Sequence, residues 1–279
     1  MPSGDDRPEL PSAGFLDIES NRLEYRCAGR LAAQGRVVVL LHEGLGSALL
    51  WGTFPENLAR VSGLPVFAYS RAGYGGSSPV ALPRRPDFLE REALDVLPRV
   101  LDAIGAGPCV LVGHSDGATI AALSASAGDT RIRGAALIAP HVFVEDVTLA
   151  GLIRARAAFQ EGTLRRKLAR HHDDVEGAFR GWNETWLDPA RRHWDVRAEL
   201  SRIRIPIAVI QGDRDNFGTR AQLEAVGRAC PHAEFHLLVG IGHAPHAEDA
   251  EGTLVILSAF ADRVMTASRG VCSASTVMN

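Results

Sequence analysis

One feature constrains the fold of this chain more than any other: short apolar runs of strand length alternate with longer stretches of helical character. Val37–His42 is apolar almost throughout, as expected of a strand covered on both faces. Similar runs lie at Phe15–Ile18, Arg22–Cys27, Val66–Ser70, Cys109–Gly113, Ala135–Ala139, Ile207–Gln211 and Glu234–Val239. Helical patterns fall between them at Phe54–Val61, Phe88–Ile104, Gly117–Ala127, Thr219–Ala229 and Glu251–Met265. Such alternation is satisfied by βαβ units. The expected fold class is therefore α/β: a mostly parallel, eight-stranded sheet flanked by helices, opened by an antiparallel pair turning at Ser20–Asn21. No segment repeats with a fixed period.

The rhythm breaks once. From about His141 to Arg202 there is no strand signal, and the stretch holds Trp182, Trp186 and Trp194, three of the four tryptophans. It reads as a helical insertion, a lid, placed before the last strands. The expected organisation is a first core part over 1–140, the insertion over 141–202 and a second core part over 203–265. A small, polar tail over 266–279 lacks an amphipathic pattern and is expected to be mobile.

With 46% hydrophobic residues in 279, the chain can bury a full core. A net charge of −3 argues against nucleic-acid binding, which calls for a basic patch or stripe. The basic cluster at Leu164–Arg170 reads as a solvated helix face. Cys27, Cys109, Cys230 and Cys272 form no CxxC pair, so neither a disulfide framework nor a zinc site is suggested. No apolar run reaches bilayer-spanning length, and Met1–Pro11 has no apolar signal core. The expectation is a cytoplasmic protein that engages no membrane.

The chemistry concentrates in Gly113-His114-Ser115-Asp116-Gly117, which ends an apolar strand and opens an alanine-rich helix. That strand–turn–helix setting is what a G-x-S-x-G nucleophile elbow requires. The turn forces the serine into a strained conformation and leaves no room for side chains on either side. Ser115 is thus the candidate nucleophile. A serine hydroxyl needs a base. Gly240-Ile241-Gly242-His243 follows the last strand and puts His243 at the carboxyl edge of the sheet, where α/β folds assemble their sites. His246 is the nearby competitor; His42, His114 and His141 also sit at strand ends. The base needs a carboxylate to fix its tautomer. Asp215, in Gly212-Asp213-Arg214-Asp215 after Ile207–Gln211, is the candidate; Asp213 suits a turn cap, and Glu145 or Asp146 is the alternative. The chain order Ser, Asp, His is that of the α/β-hydrolase arrangement.

An oxyanion needs two donors. One is expected from the N–H of Asp116, the other from Gly44 or Leu45 in His42-Glu43-Gly44-Leu45-Gly46. Together these segments resemble the α/β-hydrolase superfamily over about residues 13–265. His42–Gly46 is similar to its His-Gly oxyanion loop, and Ser70-Arg71-Ala72-Gly73-Tyr74-Gly75-Gly76-Ser77 to its D-x-R-G-x-G-x-S turn. Gly242-His243-Ala244-Pro245-His246-Ala247-Glu248 is similar to its G-H-x-x-x-x-E close. Two departures stand out: Glu43 replaces the usual glycine, where it can meet substrate or Arg71, and Ser70 replaces an aspartate.

The resemblance implies acyl chemistry. Family members that displace halide or open epoxides carry aspartate at the elbow, where this chain has Ser115. Esterases, lactonases, thioesterases, C–C hydrolases and cofactor-free haloperoxidases remain. The expected ligand is a small to medium ester with an apolar or aryl part, bound by Glu43, His141, Trp182 and Trp186, with Trp194, Phe143, Phe159 and Phe179 adding an apolar underside to the insertion. The alternatives are a C–C bond hydrolase of ring-cleavage products and a non-catalytic ligand-binding protein of the same fold. No cofactor or metal is implied, because neither a phosphate-binding glycine motif nor H-E-x-x-H spacing is present. A homodimer is compatible with the sequence.

Overall fold

The computed structural model describes residues 10–267. β1 (Ala13–Ile18) and β2 (Asn21–Ala28) form an antiparallel hairpin closing at the Ile18–Asn21 pair, with Glu19 at φ 55° in its turn. Next come β3 (Val37–Leu41), α1 (Phe54–Ser62) and β4 (Val66–Tyr69). α2 (Phe88–Arg91) and α3 (Leu97–Ala103) follow, separated by a π-helical turn at Glu92–Val96. β5 (Cys109–His114), α4 (Asp116–Ala127) and β6 (Ile132–Ile138) complete the first part of the sheet.

Four helices lie between β6 and the next strand: α5 (Asp146–Gln160), α6 (Thr163–Leu168), α7 (Val175–Trp186) and the short α8 (Arg197–Leu200). The chain ends with β7 (Ile207–Gly212), α9 (Arg220–Ala229), β8 (Glu234–Leu238), α10 (Pro245–Glu248) and α11 (Ala250–Ala267). The strands form one sheet in the order β1-β2-β4-β3-β5-β6-β7-β8. β2 pairs antiparallel with β4, and every pair from β4-β3 to β7-β8 is parallel.

Why the central strands read as unbroken apolar runs is visible in β3. Val37, Val39 and Leu41 enter the cluster on one face, with Leu97, Leu101 and Ile120 from α3 and α4. Val38 and Leu40 enter the other, with Leu58 of α1 and Leu257 and Phe260 of α11. A period-2 strand with helices on both faces has no side left for polar residues.

The expected helix Phe88–Ile104 forms without a break as far as Ala103, but it is not a regular α-helix throughout. Pro98, at the start of α3, has no N–H to bond one turn back, and the ladder widens into the π turn just before it. The expected mobile tail lies outside the described residues, apart from its first two, which extend α11.

The segment between β6 and β7 is tied internally. The Phe159 and Phe179 rings stack at 3.8 Å, and Asn183 donates to the Leu152 carbonyl at 2.9 Å while accepting from Arg156 Nε at 2.8 Å. These contacts join α5 to α7. A bridge between Phe143 and Asp195 closes the base of the segment. The parallel strands β3, β5, β6 and β7 all deliver their following loops to the same edge of the sheet, as does β8.

Candidate active site

Ser115 stands between β5 and α4 at φ 52°, ψ −114°, a region that side-chain-bearing residues rarely occupy. Two glycines make this backbone affordable. A Cβ on Gly113 would lie 2.0 Å from the Gly117 carbonyl oxygen, and a Cβ on Gly117 would lie 2.0 Å from the Leu41 carbonyl oxygen. The strand, the turn and the helix therefore touch backbone to backbone. The Ser115 N–H donates to the Ile138 carbonyl at 2.9 Å, locking the elbow to β6.

The Ser115 hydroxyl lies 3.1 Å from His243 Nε2. His243 Nδ1 lies 2.9 Å from both carboxylate oxygens of Asp215. A carboxylate accepts only, so the imidazole carries its proton on Nδ1 and offers Nε2 as acceptor to the serine hydroxyl. Asp215 is nearly inaccessible, with 2% of its side chain exposed. Burial pushes its carboxyl pKa up, but the His243 contact and the N–H groups of Phe217 (2.8 Å) and Gly218 (3.1 Å) outweigh burial and hold it below the usual range. The other acids are engaged elsewhere. Asp213 caps Gly240 N–H at 2.7 Å; Glu145 accepts from Thr219 and Gln222; Asp146 pairs with Arg192. His246 packs 4.6 Å from His114 and 4.7 Å from Trp51, with burial pushing its pKa down to about 3.

The loop after β3 is held from beneath. The buried Arg71 guanidinium donates to the carbonyl oxygens of His42 and, at 2.9 Å, Glu43. The Arg71 N–H donates to His42 Nε2 at 3.0 Å, and His42 Nδ1 faces the Glu43 carbonyl at 2.7 Å. Arg71 thus meets the backbone of Glu43, not its carboxylate. Ser70 hydrogen-bonds Glu24 at 2.7 Å and accepts from Ala48 N–H at 2.8 Å. Gly44 abuts the insertion: a Cβ there would lie 2.0 Å from Trp182 Nε1.

Two acidic side chains stand beside the nucleophile. Asp116 is buried, with Oδ1 accepting from Trp186 Nε1 at 3.1 Å; Oδ2 has no hydrogen-bond donor, and the Arg71 guanidinium is 4.0 Å away. Burial raises its pKa against the pull of Arg71 and Arg191. Glu43 Oε2 stands 3.5 Å from His114 Nδ1. Burial alone would raise the Glu43 pKa, yet His114, His42 and His246 together lower it. His114 Nε2 donates to the His243 carbonyl at 2.8 Å and so braces the loop that bears the base.

These groups open into a cavity of about 220 Å³ containing Ser115 and His243. Its walls include Glu43, Gly44, Leu45, Asp116, His141, Trp182 and Trp186. Burial lowers the His141 pKa to about 3, leaving a neutral ring 5.6 Å from His243. Phe143, Phe159, Phe179 and Trp194 do not line the cavity. Trp194 packs edge-on against Trp186 at 5.3 Å and donates to Glu90, while the phenylalanines pack α5, α7 and Arg197.

Sequence reasoning missed Phe217, whose ring sits 4.9 Å from His243, and Thr148 and Leu152 of α5, which also line the cavity. Phe217 could have been found from its place two residues after Asp215, in the turn built on that carboxylate. Thr148 and Leu152 are one turn apart, but nothing in their pattern distinguishes a cavity wall from a core face. Among the described residues, no cluster of three or more His, Cys, Asp or Glu is arranged to hold a metal ion. No helix among them is long and apolar enough to cross a membrane.

An elbow serine, a histidine and a buried carboxylate meet at one edge of this sheet. The sequence model of the Alpha/beta hydrolase family matches residues 38–255, so the chain belongs to that family. It is 27% identical over 258 residues to "Polyketide synthase ThaQ" of Burkholderia thailandensis; the match takes in 82% of this chain but 12% of the synthase. It is 25% identical over 244 residues to human "Serine hydrolase BPHL", covering 84% of this chain and 81% of that protein. Among solved structures, a carboxylesterase structure from the thaumarchaeon Nitrososphaera gargenis superposes with a TM-score of 0.73 at 20% identity, covering 91% of this chain and 99% of that one.

Proposed function

We propose that this protein is a serine hydrolase that cleaves a small to medium ester with an apolar or aryl part through an acyl-enzyme. One observation carries the reading: an unbroken hydrogen-bonded line from Asp215 through His243 to Ser115 that ends in the cavity. Ser115 attacks the carbonyl while His243 takes its proton. Asp215 holds the imidazole in the right tautomer and stabilises the imidazolium. The N–H groups of Asp116 and of the Gly44–Leu45 stretch receive the oxyanion. Asp116 opens α4, so its N–H has no carbonyl one turn back, and the helix dipole adds to its pull on negative charge. His243 then hands the proton to the leaving group, and water repeats the cycle.

Trp182, Trp186, Phe217 and Leu152 make most of the cavity wall apolar, which suits an aryl or alkyl group. A cavity of about 220 Å³ is below the roughly 300 Å³ at which drug-sized pockets begin, which favours a small acyl part. The helical segment over 141–202 acts as the lid, supplying Trp182, Trp186, Thr148 and Leu152 to that wall.

The test is a panel of p-nitrophenyl esters of graded chain length, run beside fluorophosphonate labelling. Wild type is expected to label at Ser115 and to prefer short apolar acyl groups. Ser115→Ala is expected to stay folded and lose roughly 10⁴-fold or more in kcat. A folded Ser115→Ala protein with undiminished esterase activity would sink the assignment.

A further inference from the structure

His172 lies between α6 and α7, 6% exposed, and joins two loops far from it in the chain. Its Nδ1 receives the N–H of Gly75 at 2.9 Å, and its Nε2 faces the carbonyl oxygen of Leu45 at 2.9 Å. A backbone N–H only donates and a carbonyl only accepts, so the ring is neutral with its proton on Nε2. Asp173 extends the grip: its N–H donates to the Gly75 carbonyl at 3.0 Å, so both polar groups of Gly75 are held by residues 172–173.

The Gly75 side of this link is rigid. Gly75 has φ 59°, and a Cβ there would lie 2.2 Å from Glu24 Oε2 and 2.4 Å from Ser70 Oγ. The Leu45 side is the loop proposed to bind the oxyanion. Within that loop, the Glu43 carbonyl is pinned by Arg71 and by the Gly46 N–H at 3.1 Å. The Leu45 carbonyl is pinned by His172.

From this bridge we propose that His172 is a positioning residue: through it the segment between β6 and β7 sets the backbone of Gly44–Leu45 and so aims the second oxyanion donor. The assignment rests on the serine-hydrolase reading. Its physical basis is preorganisation. A donor stabilises the transition state only if it is already aimed where charge develops, and losing one such donor costs about 10²–10³ in kcat. A misplacement of about 1 Å can cost about 10²-fold. His172 does not itself line the cavity, whereas Leu45, whose carbonyl it holds, does, so its effect on the site passes through Leu45.

The two ring nitrogens can be separated by mutation. His172→Asn places an acceptor near the Nδ1 position but falls short of Leu45. His172→Gln reaches further and places an amide donor near the Nε2 position. Wild type and both variants would be compared in kcat and KM for an activated ester, in the rate of fluorophosphonate labelling at Ser115 and in thermal midpoint. Expected for His172→Asn is a kcat lower by about 10- to 100-fold with KM changed less than about threefold, and proportionally slower labelling. His172→Gln is expected to recover most of both rates. The proposal is overturned if His172→Asn turns over and labels like wild type. It is also overturned if both variants lose kcat alike, or if His172→Gln loses kcat when His172→Asn fails to fold. If wild type itself does not label, the hydrolase reading falls and takes this one with it; normal wild-type labelling with unaffected variants removes only the role of His172.

Discussion

Removing one N–H from the edge of the site gives a measurable test of how its buried charge is held. Trp186→Phe deletes the indole Nε1–H that donates to Asp116 Oδ1 at 3.1 Å. Asp116 Oδ2 already lacks a donor, and the nearest guanidinium, that of Arg71, is 4.0 Å away. Both carboxylate oxygens would then be buried without a hydrogen bond. A hydrogen bond to a charged group contributes about 1.5–3 kcal/mol, and the smaller ring adds about 1 kcal/mol of packing loss that does not depend on pH. At about 2–4 °C per kcal/mol, the thermal midpoint at neutral pH should fall by roughly 5–16 °C. The loss should shrink in acid. The Asp116 pKa is already raised in the folded protein and rises further without the indole. Ionised Asp116 therefore costs stability above its folded pKa, and the cost disappears as pH falls towards the unfolded value near 4. Thermal melts of wild type and Trp186→Phe at neutral pH and at about pH 4.5, repeated in an Asp116→Asn background, isolate the charge-dependent part. An equal loss at both pH values and in both backgrounds would refute the argument.

Two further outcomes follow from the geometry. Asp215→Asn should cost roughly 10⁴-fold in kcat with little change in folding, because the Phe217 and Gly218 N–H groups claim the amide oxygen and turn its NH₂ towards His243 Nδ1, forcing the proton onto Nε2; steady-state kinetics and near-ultraviolet circular dichroism check it. Gly117→Ala should lower soluble yield and cost more than about 3 kcal/mol, since the added carbon would lie 2.0 Å from the Leu41 carbonyl oxygen and backbone cannot rotate away as a side chain can; a well-folded, active Gly117→Ala protein would contradict the tight-elbow account.

How much of this was legible in the sequence depended on whether the signal was local. The strands were readable because burial on both faces leaves continuous apolar runs, as in Val37–Leu41. Ser115 was readable because a tight elbow demands glycine at 113 and 117, each a neighbour in the chain. His243 and Asp215 were readable because each follows a strand directly, and the structure brings both into one hydrogen-bonded line with Ser115. What escaped depended on rotation and contact at a distance. Trp186 bonding Asp116 spans 70 residues, and His172 reaching Leu45 spans 127. Neither leaves a trace in local periodicity. The π turn escaped because Glu92–Val96 has an ordinary helical composition and shows its widening only against Pro98. The apolar underside was overdrawn for the same reason: aromatic residues in a helical segment do not announce whether they face a ligand or one another.

Gly44 has no side chain, and the Trp182 indole occupies the space one would fill. The loop after β3 and the helices between β6 and β7 are therefore two halves of one surface, shaped by chain segments more than a hundred residues apart. Exchange of this insertion between relatives, by recombination or by engineering, cannot be made piecewise. A donor segment lacking an indole at position 182 would leave a hollow against residue 44, and a recipient loop with any larger residue there would exclude the indole. The natural unit of transfer is the pair.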